Sequence, residues 1–181
     1  SLKQHSYDVA IIADILCAIY NEIVQGEGEK RMSHEKVVRI ALYHDAAEII
    51  CSDLPTPIKY NNPEITNAFK QIEKQAVQTI LGLMPNELQP AYVDVMESRD
   101  SRESAVVHAA DKLSAYCKCL NEETSGNHEF ASAKEALWES ISNIANEMEE
   151  VMFFIERFLP CYGKTLDQMI NNKENEEQNH V

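Results

Sequence analysis

Apolar residues recur at intervals of three and four through most of the chain. Val9, Ile12, Ala13, Leu16, Ile19, Tyr20 and Ile23 form one such stripe, the spacing of a helix with a single buried face. The stripe predicts a first helix from about Gln4 to Gln25, closed by the loop Gly26-Glu27-Gly28-Glu29. Ser33 is a good N-cap for a second helix, whose face carries Val37, Ile40, Ala41, His44, Ala47 and Glu48. The stretch from Cys51 to Asn62 holds two prolines and paired asparagines and reads as a loop. Pro63 suits a first helical position, and Ile65, Phe69, Ile72, Ala76, Ile80 and Leu83 form the next stripe. Met84-Pro85-Asn86 interrupts it, and a shorter helix runs through Val95. Ser101 caps a helix carrying Val106, Val107, Ala110, Leu113, Ala115 and Leu120, and the Gly126 region stops it. A long last helix is expected from near Glu129 to Phe158, stopped by Pro160.

The pattern therefore predicts an all-α, single-domain helical bundle over residues 1–170, with a polar, acidic and disordered tail over 171–181. Only five glycines and six prolines occur in 181 residues, which favours long helices over strands and tight turns. No apolar run is long enough to span a bilayer, and the start shows no signal-peptide pattern. The expectation is a cytoplasmic protein that does not engage a membrane. A formal net charge of −14 argues against binding a nucleic acid polymer, which needs a basic surface. It does not exclude a small anionic substrate, because a bound divalent cation sets its own local field. The five cysteines are odd in number and scattered. Cys117 and Cys119 fall on different faces of a helix, so reduced thiols are expected rather than a zinc knuckle or disulfide framework. The Cys117 pair and Met148 and Met152 read as core.

The candidate chemistry lies where polar side chains interrupt apolar faces. His44 and Asp45 are adjacent within Ile40-Ala41-Leu42-Tyr43-His44-Asp45-Ala46-Ala47. A buried aspartate there is costly unless something pairs with it. Neighbouring helical residues splay by about 100°, so both can flank one ion. Glu48 comes on the same face one turn later. His5 heads the first helix, and Asp111 lies mid-helix in Val107-His108-Ala109-Ala110-Asp111-Lys112-Leu113. Taken alone, each has an ordinary alternative; Asp111, for example, has Lys112 and Lys118 as ion-pair partners. Taken together, His5, His44, Asp45 and Asp111 supply two imidazoles and two carboxylates. That set suits a first-row divalent ion (Mn, Fe, Co, Ni or Zn) and leaves positions open for water and a phosphate oxygen. His108 reads as a non-ligand, and His34 and His128 as solvated.

These residues resemble the HD-domain phosphohydrolases, an all-helical metal-dependent superfamily. The stretches QHSYDVA, ALYHDAAEIICSDLPTPIKY, IEKQAVQ, MPNELQ, ADKLSAYCKCLNEE and GNHEF are similar to successive segments of the bacterial 5′-deoxynucleotidase (YfbR-like) family. The similarity runs from His5 to about Leu166. It implies metal ligation by His5, His44, Asp45 and Asp111, a catalytic role for Glu48 and a substrate contact by Asp53. It further implies phosphate release from deoxyribonucleoside 5′-monophosphates, cobalt or manganese as favoured ions, and a homodimer. The family carries an Arg-Trp pair before its first metal histidine, whereas this sequence starts at Ser1, four residues before His5. The expectation is that a chain starting there binds metal normally but hydrolyses weakly, with blurred deoxy-over-ribo preference. Gln4 replaces the glutamate usual before that histidine.

In this reading Glu48 moves a proton to or from water or the leaving 5′-oxygen. Asp53 accepts a hydrogen bond from a sugar hydroxyl, and Lys59 and Lys112 are the nearest candidates for phosphate charge. Two rivals stand beside it: an HD phosphohydrolase acting on cyclic or polyphosphorylated nucleotides, and a non-catalytic nucleotide-binding protein.

Overall fold

The computed structural model describes residues 1–52, 62–98, 101–165 and 167–169, and among them the chain is all-helical, with no strand. Asp53, Lys59 and the tail 171–181 lie outside the described residues. The elements are α1 (Leu2–Ile19), α2 (His34–Tyr43), α3 (Glu48–Cys51), α4 (Pro63–Gly82), α5 (Gln89–Met96), α6 (Arg102–Thr124), α7 (Ala131–Ala145) and α8 (Glu149–Arg157). A short 3₁₀ turn, Leu159–Cys161, comes after α8.

The expected start signals operate as local chemistry dictates. Ser33 Oγ accepts from Lys36 N, Asn62 Oδ1 accepts from Ile65 N ahead of Pro63, and Ser101 Oγ accepts from Ser104 N. Each satisfies one of the amides that a helix start leaves unpaired.

Helix α6 is the centre of the bundle. Helices α1, α2 and α7 pack on it, and α8 closes over α1 and α7. This explains why Cys117 and Cys119 are both buried although they face different ways. The main core gathers Val9, Leu16, Val37, Val106, Leu113, Ile141 and Phe154. A second, smaller cluster joins Ala47 to Ala76, Val77 and Leu81, with Cys51 and Tyr92 packed against it.

Five features differ from the sequence expectation. The first helix ends at Ile19 and passes into a π-helical turn, Tyr20–Val24, in which Gln25 N donates to Tyr20 O. The i→i+5 bond changes the direction in which these side chains point. Asn21 turns inward and grips Met32 through both its backbone N–H and C=O, while Ile23 is left 57% exposed. The second helix stops at Tyr43, because residues 44–47 form a tighter turn before α3. The long last helix is two: Met148 is extended, with φ −129° and ψ 99°, and buries its side chain in the main core. Met152, by contrast, is exposed rather than core, because the new start at Met148 resets the face of α8. Leu83, expected on an apolar stripe, lies at the end of α4 and is 81% exposed.

Candidate metal centre

Three helices bring the candidate ligands to one place. His5 stands in the first turn of α1, His44 comes directly after the last residue of α2, and Asp111 lies in the middle of α6. Their ligand atoms all fall within 4.8 Å of one another. His5 Nε2 is 3.1 Å from Asp111 Oδ1 and 3.4 Å from Asp45 Oδ2. His44 Nε2 is 3.1 Å from Asp45 Oδ2 and 4.0 Å from Asp111 Oδ1. The sequence points to all four residues, and the structure brings all four together.

The orientation of His44 is the telling detail. Its Nδ1 lies 2.7 Å from Ala41 O, a contact only an N–H can make favourably, so in the neutral ring the lone pair sits on Nε2. That Nε2 is buried and, among the described residues, has no hydrogen-bond partner; Asp45 Oδ2 lies close but not in a hydrogen-bonding orientation. A lone pair facing a carboxylate oxygen is repulsive unless a cation lies between them. A backbone carbonyl holding the far nitrogen of a histidine is the usual support for a metal-binding imidazole. The Ala41 carbonyl is not legible in the sequence, since any residue supplies one.

The electrostatics agree. The Asp111 carboxylate, 3.1 Å away, raises His5 above its ordinary pKa against the opposing effect of burial. Burial opposes charge on His44, yet the Asp45 carboxylate and the Ala41 carbonyl raise it above the usual value. Burial works against ionised Asp111, but His5 and Lys112 hold it below the ordinary carboxylate range. Such a field favours positive charge at the imidazole nitrogens, whether brought by protons or by an ion.

The turn after α2 places the remaining carboxylate. Ala46 N donates to Tyr43 O and Glu48 N to Asp45 O. These i→i+3 bonds make residues three apart eclipse, so Glu48 stands one tight turn beyond Asp45 rather than on a continuous helix face. The segment then leaves α3 through Ser52, which has φ 56°, a conformation that strains a residue other than glycine. Asp53 and Lys59 fall beyond it, outside the described residues. Lys112 Nζ lies 3.7 Å from Asp111 Oδ2, whereas His5 meets the other oxygen of that carboxylate. His108 is exposed and outside the cluster, His34 Nδ1 lies 2.6 Å from Asp14 Oδ1, and His128 is exposed.

Comparison with known proteins points the same way. The chain matches the family model described as 5′-deoxynucleotidase YfbR-like over residues 1–162. A protein of Vibrio cholerae serotype O1 named 5′-deoxynucleotidase is 38% identical over 171 residues, covering 93% of this chain and 85% of that protein. One of Yersinia pestis with the same name is 37% identical, covering 93% and 84%. Among solved structures, an HD-domain phosphohydrolase of Listeria innocua shares the fold with a TM-score of 0.75 at 23% identity, covering 88% of this chain and 75% of that one. A protein of Pyrococcus horikoshii OT3 is similar with a TM-score of 0.60 at 26% identity, covering 83% and 77%. With its family model matched over most of its length and relatives above one-third identity along nearly all of it, the chain belongs to the YfbR-like 5′-deoxynucleotidase family.

Proposed function

We propose that this protein is a metal-dependent phosphohydrolase that releases phosphate from deoxyribonucleoside 5′-monophosphates, with His5, His44, Asp45 and Asp111 as the metal ligands. Family membership supports the reaction. The observation that carries the metal reading is the buried His44 Nε2, unpartnered among the described residues, held in place from Ala41 and facing a second imidazole and two carboxylates. Two nitrogen and two oxygen donors fit a first-row divalent ion and leave open positions.

When bound, such an ion supplies Lewis acidity toward a phosphate oxygen and acidifies water. The chain's own residues do the rest. Glu48 accepts a proton from the attacking water and returns one to the leaving 5′-oxygen, so water and the monoester become nucleoside and inorganic phosphate. Asp53 holds a sugar hydroxyl; a carboxylate is a poor partner for phosphate. Lys112, beside Asp111, and Lys59 contribute positive charge toward the phosphate. Residues 1–170 form the one catalytic domain in this reading, working as a homodimer. Five free cysteines fit a reducing, cytoplasmic setting. Among the described residues, no helix is long and apolar enough to cross a membrane.

The test is phosphate release from dAMP, dTMP and AMP by the metal-stripped protein reloaded with each divalent ion in turn. Turnover that returns with Co or Mn and is absent with chelator supports the reading. Metal-independent turnover, or none on any monophosphate, overturns it.

A further inference from the structure

The metal cluster and the proton-transfer residue are anchored in different parts of the core. His5, His44 and Asp111 hang from α1, α2 and α6, the helices of the main core. Glu48 opens α3, whose N-cap Ala47 belongs to the smaller cluster with α4 and whose last residue, Cys51, packs against it. From α2 the path runs through the 44–47 turn to α3, which packs on α4; α4 packs on α5, and α5 returns to α2. The helices therefore form a closed ring, and the α5-to-α2 contact is its clasp.

That clasp is built from named side chains. Arg39 and Tyr43 lie four apart on α2 and share a face. The Tyr43 ring meets Tyr92 of α5 edge-on, with centroids 5.6 Å apart and planes at 84°. Arg39 Nη2 donates to Ala91 O at 2.8 Å, and its guanidinium lies 5.7 Å from the Tyr92 ring centre. Tyr43 packs against the main core and Tyr92 against the smaller cluster. Burial, with the Tyr92 hydroxyl beside it, pushes the Tyr43 phenol up. Tyr43 also immediately precedes His44.

We infer that Tyr92, gripped by Arg39 and Tyr43, is a positioning residue that sets Glu48 relative to the metal ligands by closing this ring of helices. With the clasp open, α3 is still tied to α2 through the 44–47 turn, but the α4–α5 pair no longer holds it in place. A displacement of about 1 Å in a catalytic group costs up to roughly 10²-fold in rate, while His5, His44 and Asp111, carried by the helices of the main core, stay in place. The inference rests on the proposed role of Glu48.

The experiment compares Tyr92→Ala, Tyr92→Phe, Arg39→Gln, Glu48→Ala and the double variant Glu48→Ala/Tyr92→Ala, each with its full chain, checked by circular dichroism and loaded with Mn. The expected result is a fall in kcat of about tenfold to a hundredfold for Tyr92→Ala, with KM and Mn affinity within about threefold of the parent. Tyr92→Phe, which keeps the ring, recovers most of that loss, and Arg39→Gln shows a smaller loss of the same kind. In the double variant, removing Tyr92 costs nothing beyond Glu48→Ala, because its effect runs through that residue. Unchanged kcat in Tyr92→Ala, Mn binding lost in step with kcat, or losses that multiply in the double variant each overturn the inference. Full turnover in Glu48→Ala alone shows instead that the role given to Glu48 is wrong. If Tyr92→Ala does not fold, Tyr92→Leu and Arg39→Gln carry the same comparison.

Discussion

Replacing Arg102 by methionine tests how the central helix is held. Glu150 of α8 is 0% exposed, yet it is a carboxylate. Its Oε1 accepts a hydrogen bond from Arg102 Nη2 at 2.8 Å, and its Oε2 has no hydrogen-bond partner among the described residues. Removing one member of a buried pair leaves an uncompensated charge and costs about 3–5 kcal/mol. The Arg102 side chain is 43% exposed, so water reaches part of the vacated space and the lower end of that range applies. The guanidinium also lies 4.8 Å from the Tyr20 ring centre, a contact contributing about 0.5–1 kcal/mol. The expected loss for Arg102→Met is therefore about 3–4 kcal/mol, or roughly 6–16 °C in Tm for a domain of this size. Arg102→Met/Glu150→Leu removes the buried charge as well and recovers most of the loss, because replacing both partners of a buried pair by apolar groups is often neutral. Urea denaturation followed by circular dichroism measures both. A loss below about 1 kcal/mol for the single variant, or a double variant no more stable than the single, refutes the argument.

Three further outcomes are expected. Glu48→Ala keeps one divalent ion per chain but loses turnover by about 10²-fold or more, as for a missing general acid or base; full turnover at full metal occupancy assigns Glu48 a structural role. Metal affinity, measured by titration calorimetry, falls as pH drops, because proton and ion compete for the imidazole nitrogens of His5 and His44, whose pKa values are raised above 6.5; affinity constant from pH 8 to pH 6 contradicts the ligand assignment. Alkylation of the native protein at pH 8 reaches the exposed Cys161 first, since burial pushes Cys17 and Cys117 up to about 11 and leaves them almost wholly as thiols; mass mapping that finds Cys17 modified before Cys161 contradicts the packing of α1.

The helices and their starts are legible in the sequence because their causes are local. A three-four stripe such as Val9, Ile12, Ala13 and Leu16 reports a buried face whatever covers it, and these four are buried. Ser33, Pro63 and Ser101 act through amides within the next few residues, so their effect needs no tertiary partner. The four candidate ligand residues also stand out in the chain, since imidazoles and carboxylates on apolar faces require a partner. The identity of that partner is a different matter. His5, His44 and Asp111 meet only because α1, α2 and α6 pack together.

The chain pattern does not show the breaks that packing imposes without glycine or proline. The π-helical turn at Tyr20 arises where Asn21 turns inward to Met32, eleven residues later. The stop at Tyr43 replaces a continuous helix with a tight turn that sets Glu48 one turn beyond Asp45. The division at Met148 comes with burial of that side chain in the main core. Nothing in the sequence separates Glu150 from its neighbour Glu149, and Glu150 is buried where Arg102, 48 residues away, reaches it. Periodicity records which residues leave water, since that depends on spacing along one helix. Where a helix ends without a local breaker, and which charge accompanies a buried carboxylate, depend on distant segments arriving at the same place, and tertiary structure alone decides them.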